Sequence, residues 1–418
     1  MMQLSHAPGG PVASPRLRDL LAPPLGRLGA DGLRVLLVLP DATRSLPLPE
    51  IFATLAASLG PRAGSLTALI ALGTHPPMDR SALERHLGAV VEHGNTCRGV
   101  RVLQHDWRGP GALARIGTLD REQVRSLSGG LLDEEVAVEV NREVLACDLA
   151  LLVGPVTPHE LIGFSGGHKY FFPGVSGQAI LDQTHWLAAL LTNPAVNGRR
   201  DTPTRALIEA AAALVPVRRA GLWTVLRDGQ VHGLFLGDVR ESWEAAAGLS
   251  ARLNVCRLPR PCYFVVAVVP PRFEDLWTGS KCMTKLEAVV SDGGTLVLLA
   301  PHISSPALSH GHWHDRIGYH VKDWFLAHRD ELAGVPRSIL ADLCQLPGIG
   351  TWRDGVEHRR IHVKVASGIP EERCRSLGLE WVDPRGIDLG ALEGREREGI
   401  LVARDAAETL YRLEADER

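Results

Sequence analysis

The 418-residue sequence lacks a hydrophobic run long enough to span a bilayer. Its most apolar stretch, Cys262 to Pro271, is about half the length a membrane-spanning helix requires. The first thirty residues include His6, Pro8, Pro11 and Pro15, with no basic start leading into an unbroken apolar core. A secretory signal is therefore not expected. There is no CxxC pair; the seven cysteines are scattered at 97, 147, 256, 262, 282, 344 and 374. An odd, unpatterned set argues against a disulfide framework and for reduced, buried thiols in a cytoplasm. No charge of one sign prevails: 45 Lys and Arg against 48 Asp and Glu give a formal net charge of −3. That balance provides no global field for nucleic acid or an anionic membrane. Neither a solenoid-length repeat nor a low-complexity tract is present.

What remains is a chain able to bury a core, with 45% hydrophobic and 22% charged residues. At roughly 100–200 residues per domain, two or three domains are expected. Residues 1–32 are rich in Pro and Gly and read as partly irregular. Arg34–Leu39 and Ser65–Leu72 are continuous apolar runs, as strands buried on both faces are, and each precedes a helical pattern, 49–59 and 79–87. Asp79 suits the cap of the second helix. Further strands are expected near 100–103, 136–140 and 149–153, then a Gly-rich loop over 154–177 and a helix over 178–191. Pro259, Pro261, Pro270 and Pro271 bracket a new apolar strand, 262–269, and mark the domain boundary. Strands near 295–299 and 362–365 follow. A final helix is expected over 404–413, with Ala406, Leu410 and Leu413 on one face. The alternation is that of parallel α/β units.

Reactive side chains gather after the strands, where open α/β sheets hold their ligands. Asp41-Ala-Thr43-Arg44 follows the first strand, Gly73-Thr-His75 the second, and His159 and Gly163-Phe-Ser165-Gly166-Gly167-His168-Lys169 the strand ending at Val153, with His185 on the next helix. Singly, each has a plain reading. Arg44 suits a structural ion pair, His75 and His159 suit caps or solvent, and His185 can be a packing residue beside Ile180, Leu181 and Trp186. The glycine run is no P-loop, because Tyr170 follows Lys169 where Ser or Thr would hold magnesium. Together, however, they offer a planar fork for an anion, two proton carriers near neutral pH, an amine nucleophile and one imidazole for a transition metal. One His does not hold a metal unaided, so the other ligands would come from a bound cofactor.

The run His159-Glu-Leu-Ile-Gly-Phe-Ser-Gly-Gly-His-Lys169-Tyr-Phe-Phe-Pro-Gly-Val-Ser-Gly, with His185 sixteen residues after the lysine, resembles the nickel-dependent lactate racemase family. Asp41-Ala-Thr-Arg44, Gly73-Thr-His75 and Asn141-Arg-Glu-Val resemble further motifs of that family in the same order. The resemblance covers the N-terminal two-thirds and weakens after about residue 300. It implies a racemase or epimerase of a 2-hydroxy acid, acting by hydride abstraction and return at Cα. The cofactor implied is a nickel pincer nucleotide, a pyridinium-3,5-bisthiocarboxylic acid mononucleotide carrying nickel. By that resemblance Lys169 carries the cofactor, His185 ligates nickel, and His75 and His159 are paired acid–bases. Arg44 and Lys281 hold the substrate carboxylate, beside Trp277 and Thr278. Asp41, Thr43, Ser165, Gly166 and Gly167 help to hold the cofactor.

The implied fold is two α/β, Rossmann-like domains, 1–258 and 259–403, with the active site in the cleft between them and the last helix returning to the first. The expected partners are the small substrate and the cofactor-biosynthesis enzymes. Thr278 stands where the family has a glutamine, and His168, Phe171 and Phe172 also depart from its pattern. The shorter side chain predicts a substrate other than, or broader than, lactate. Two alternatives are a non-catalytic carrier of the cofactor and an enolate-type racemase, the latter needing a carboxylate cluster that these loops lack. A last constellation, His310-Gly-His312-Trp-His314, would share one face if it were a strand and bind zinc there, or form a loop over the pocket mouth.

Overall fold

Buried, β-branched and leucine-rich runs build the two largest sheets of the protein, whose residues 1–417 are described by a computed structural model. The chain divides into two compact units, Met1–Thr157 with Phe164–Leu181 and Pro203–Leu253, and Pro158–Gly163 with Asp182–Thr202 and Asn254–Arg418. This partition differs from an uninterrupted 1–258 domain, because two segments between 158 and 202 group with the second unit. The α/β class expected from the strand–helix alternation is the class observed.

In the first unit, five strands run parallel in the order Arg218–Arg227, Leu149–Pro155, Arg34–Pro40, Ser65–Ala71, Val100–Gln104. Gln230–Gly237 joins antiparallel at one edge, with Leu4–His6 antiparallel to it beyond, and Thr96–Cys97 joins antiparallel at the other. Arg34–Pro40 connects onward to Ser65–Ala71 on one side, while Leu149–Pro155 lies on its other side. The strand order therefore reverses beside the end of Arg34–Pro40, the place where such sheets bind ligands. The expected strand near 136–140 exists as Val136–Asn141, but it pairs antiparallel with Leu113–Leu119 in a separate ribbon.

At the chain ends, residues 1–32 are irregular in part, as expected, and the expected final helix is corrected. Residues 1–32 contain a helix, Ser14–Gly26, and a strand, Leu4–His6. Leu17, Leu21, Leu25 and Leu28 form a buried row at helical spacing, which outweighs the surrounding Pro and Gly. The final segment is not a helix: Leu410–Leu413 is a strand parallel to Val255–Leu258, within the second unit. Leu410, Tyr411 and Arg412 are buried in succession, as a strand covered on both faces permits and a surface helix does not.

The second unit has its own parallel sheet, ordered Glu380–Trp381, His362–Ser367, Val290–Ala300, Cys262–Val268, Ile400–Ala403. After Cys262–Val268 comes the helix Leu276–Thr284, whose N-cap Asp275 accepts the backbone N–H of Thr278. Among the described residues no helix is long and apolar enough to cross a membrane.

Candidate active site

Asp41 leaves the sheet at the switch point, directly after Pro40, and its carboxylate is the first buried charge there. Oδ2 pairs with His75 Nδ1, and Oδ1 accepts both the hydroxyl of Thr43 at 2.6 Å and its backbone N–H at 3.0 Å. Burial alone would raise the Asp41 carboxyl, but His75, Arg44 and Thr43 outweigh it and hold the group well below the usual carboxylate range. An ionised carboxylate on Nδ1 fixes the neutral His75 tautomer with its proton on Nδ1. Nε2 then has the lone pair. Asp41 and Thr43, expected at the cofactor, thus hydrogen-bond to His75 and to each other.

His159, in the second unit, has the opposite tautomer. The backbone N–H of Leu161 donates to its Nδ1 at 3.2 Å, so the neutral ring carries its proton on Nε2. A Glu160 oxygen lies 3.4 Å from the same Nδ1 and would favour a proton there. The backbone N–H is a permanent donor and the nearer group, so the Nε2–H form prevails. His159 and Glu160 are both buried.

The Gly-rich loop is held by residues that the sequence did not single out. Arg205 donates to the carbonyls of Phe164 and Gly166, the latter at 3.2 Å, and Trp243 Nε1 donates to the carbonyl of Ser165 at 2.7 Å. The Arg205 guanidinium also lies over the Trp243 ring, 4.0 Å from its centroid. Three successive carbonyls are therefore fixed. Ser165 Oγ donates to Pro155 O at 2.8 Å and accepts Thr157 N–H at 2.9 Å, so it ties the loop to the strand end. Gly166 has φ +78° and ψ −169°, a conformation that only glycine adopts readily, and an added Cβ would lie 2.9 Å from Val156 Cγ2.

The turn of helix Gly167–Tyr170 sets Lys169 at the surface, half-buried, between buried His168 and Tyr170. His168 Nδ1 pairs with Glu209 Oε2 at 2.6 Å. Tyr170 packs against Gly154 within electrostatic range of Arg44 and Asp41, and burial pushes its phenol up. The segment beyond is anchored by Gly73 N–H to Gly174 O at 3.0 Å and by His105. His105 Nε2 donates to Ser176 O at 3.1 Å and Nδ1 accepts from Asn141 Nδ2 at 3.1 Å. Burial lowers the pKa of that imidazole, which matches its neutral, doubly engaged state.

In the second unit, His185 is half-buried on helix Gln178–Leu191. Trp277, Thr278 and Lys281 share helix Leu276–Thr284, with Lys281 Nζ 5.8 Å from the Phe273 ring centroid. Thr278 Oγ1 donates to Asp275 Oδ1 at 2.6 Å, so its hydroxyl serves the helix cap. Glu160, Leu161, Ala188, Ala189, Asn193 and Thr284 line part of one cavity of about 250 Å³, bringing the ends of three segments together.

A nickel cofactor of the implied kind needs an attachable amine and an accessible imidazole. Lys169, in the first unit, and His185, in the second, are each half-buried, so the amine and the imidazole are each open to a ligand. The one three-residue cluster of potential metal ligands among the described residues does not include His185. His185 therefore suits a metal that arrives with ligands of its own. The residues present fit the group.

Residues 11–197 match the profile of the lactate racemase N-terminal domain. A lactate racemase from Thermoanaerobacterium thermosaccharolyticum is 23% identical over 312 residues, which are 69% of this chain and 63% of that protein. A crystal structure of a Thermotoga maritima protein superposes with a TM-score of 0.88 at 28% identity, covering 98% of this chain and 100% of that one. The lactate racemase apoprotein from T. thermosaccharolyticum superposes with a TM-score of 0.69 at 20% identity, over 97% of this chain and 91% of that one, and shares the fold.

Proposed function

From the premise that this chain is similar to the lactate racemases, in motif order, domain profile and fold, we propose that it racemises or epimerises a 2-hydroxy acid. The observation that carries the reading is that the two histidines of the expected acid–base pair are held in opposite tautomers. His75 meets the ionised Asp41 carboxylate through Nδ1, which leaves its Nε2 lone pair for a proton, and His159 accepts the Leu161 N–H at Nδ1, which places its ring proton on Nε2. A reaction that must run from either enantiomer needs one group to take the hydroxyl proton and another to be ready in the mirror direction. A carrier would need neither. Arg44 and Lys281 supply positive charge for the substrate carboxylate, the arginine as a planar fork.

Lys169 and His185 would hold a nickel pincer nucleotide, which when bound supplies the hydride acceptor that side chains lack. Buried Tyr170 and the pinned loop before it keep Lys169 in place. Thr278, short and turned to its cap, leaves room for a substituent larger than methyl at Cα.

Intact mass and nickel content test the reading, on protein co-produced with cofactor-biosynthesis enzymes, wild type beside Lys169→Ala and His185→Ala. The expected result is a cofactor-sized mass increase with about one nickel per chain, the adduct lost in the lysine variant and nickel lost in the histidine variant. Neither adduct nor nickel, where a known racemase loads, would sink it.

A further inference from the structure

The second unit contains a cluster of ligating side chains that the proposed reaction does not use. His310 caps the helix Gly311–Ile317 and His314 lies one turn on, so the i, i+4 spacing puts both imidazoles on one helix face. This overturns the strand and loop expectations, and it excludes His312, which is exposed while its two neighbours in the motif are buried. Asp342, from helix Arg337–Gln345, completes the set. One ligand atom from each lies within 4.8 Å of the others.

The three are buried to a degree unusual for such groups, His314 at 0% exposure, Asp342 at 2% and His310 at 7%. Their outer contacts are those that orient metal ligands. His310 Nδ1 is engaged by Ser309 Oγ at 2.7 Å. His314 Nδ1 faces the His310 carbonyl at 3.4 Å while its Nε2 meets Asp342 Oδ2 at 2.8 Å. The other carboxylate oxygen, Asp342 Oδ1, and the hydroxyl of Tyr319 are buried with no hydrogen-bond partner among the described residues. A solitary His–Asp pair would leave that oxygen unsatisfied, at a cost of roughly 1–3 kcal/mol. A cation satisfies it.

We propose that His310, His314 and Asp342 bind a divalent cation of the zinc class. Two imidazole nitrogens and one carboxylate oxygen are a neutral-to-borderline donor set that zinc takes readily, with water as a fourth ligand. Ligand atoms of a tetrahedral site stand about 3.3 Å apart, so rotation of side chains closes the cluster without moving a helix. The ion would brace the helix that holds Trp277 and Lys281. The Trp277 ring packs edge-on to His310 at 4.3 Å between centroids, and Asp275 ties the helix to Leu308 N–H at 3.0 Å.

The test uses the full chain, stripped with chelator, incubated with zinc chloride and desalted, and then measured by elemental analysis and thermal unfolding. Wild type and His185→Ala are expected to retain about one zinc per chain and to gain in Tm. Asp342→Asn and His310→Gln should retain less than roughly a tenth of that and gain nothing. Cobalt(II) gives a second reading, through visible absorption bands of a low-symmetry N/O site that His310→Gln removes. His310 stands at the rim of the cluster, so this variant decides the matter if Asp342→Asn fails to fold by circular dichroism. Zinc absent from wild type, or kept equally by His310→Gln, would overturn the proposal.

Discussion

At the scale of single residues, the account turns on His75, His159 and the groups that set their protons. Replacing either histidine by glutamine should lower the racemisation rate of loaded protein by about 10²–10⁴, which steady-state kinetics will check on variants that thermal melts show to be folded. Asp41 gives a pH signature. Its carboxyl is held below the ordinary range when folded, so the stability it contributes is complete above an unfolded carboxylate value of about 3.9 and is lost as pH falls through the folded value. Asp41→Asn should therefore cost about 3 kcal/mol at pH 7, with the gap to wild type narrowing only below about pH 4. Urea melts across that range measure it; a gap that widens on acidification would reverse the sign. The places of Asp41, Arg44 and His75 just after buried strands were legible because strand ends are readable in sequence. Asp41 was legible as a site residue but not in its task, since its pairing with His75 joins residues that neither periodicity nor motif connects.

At the scale of elements, the Gly-rich loop shows why some functional residues stayed hidden. Arg205 and Trp243 fix the loop carbonyls from helices Pro203–Ala213 and Val239–Leu253, where an arginine and a tryptophan look like ordinary amphipathic positions. No local spacing announces a contact across that length of chain. Arg205→Lys keeps the charge but loses the planar fork that reaches two carbonyls, and should cost about 1–2 kcal/mol in denaturant titrations. Gly166→Ala should cost about 2–3 kcal/mol, from its disallowed backbone conformation and the contact with Val156. An alanine variant as stable as wild type would mean the loop relaxes where it is described as pinned. The C-terminal strand is the opposite lesson. Ala406, Leu410 and Leu413 satisfied a helical pattern, but the intervening Tyr411 and Arg412 are buried too, and tertiary pairing with Val255–Leu258 decided the segment.

At the scale of the whole molecule, the parallel sheets and the α/β class followed from continuous apolar runs alternating with helices. The partition into units did not, because segments 158–163 and 182–202 group with the second unit despite their position in the chain. His159 and His185 lie in those segments, so the motif that reads as one run in sequence serves both units. Substrate breadth belongs at this scale too. With Thr278 committed to its helix cap, 2-hydroxy acids bearing groups larger than methyl should show higher kcat/KM than lactate, by about tenfold for each kcal/mol and a half of added apolar contact. Equal values across the series would contradict that reading.

The most direct measurement of the central claim is incubation of cofactor-loaded protein with single enantiomers of 2-hydroxy acids in deuterium oxide, followed by chiral separation and mass analysis. The account predicts that the opposite enantiomer accumulates with its Cα hydrogen retained, and that His75→Gln and His159→Gln slow this conversion. Deuterium at Cα would instead indicate proton abstraction through an enolate, and no inversion of any acid by protein shown to contain nickel would contradict the racemase assignment itself.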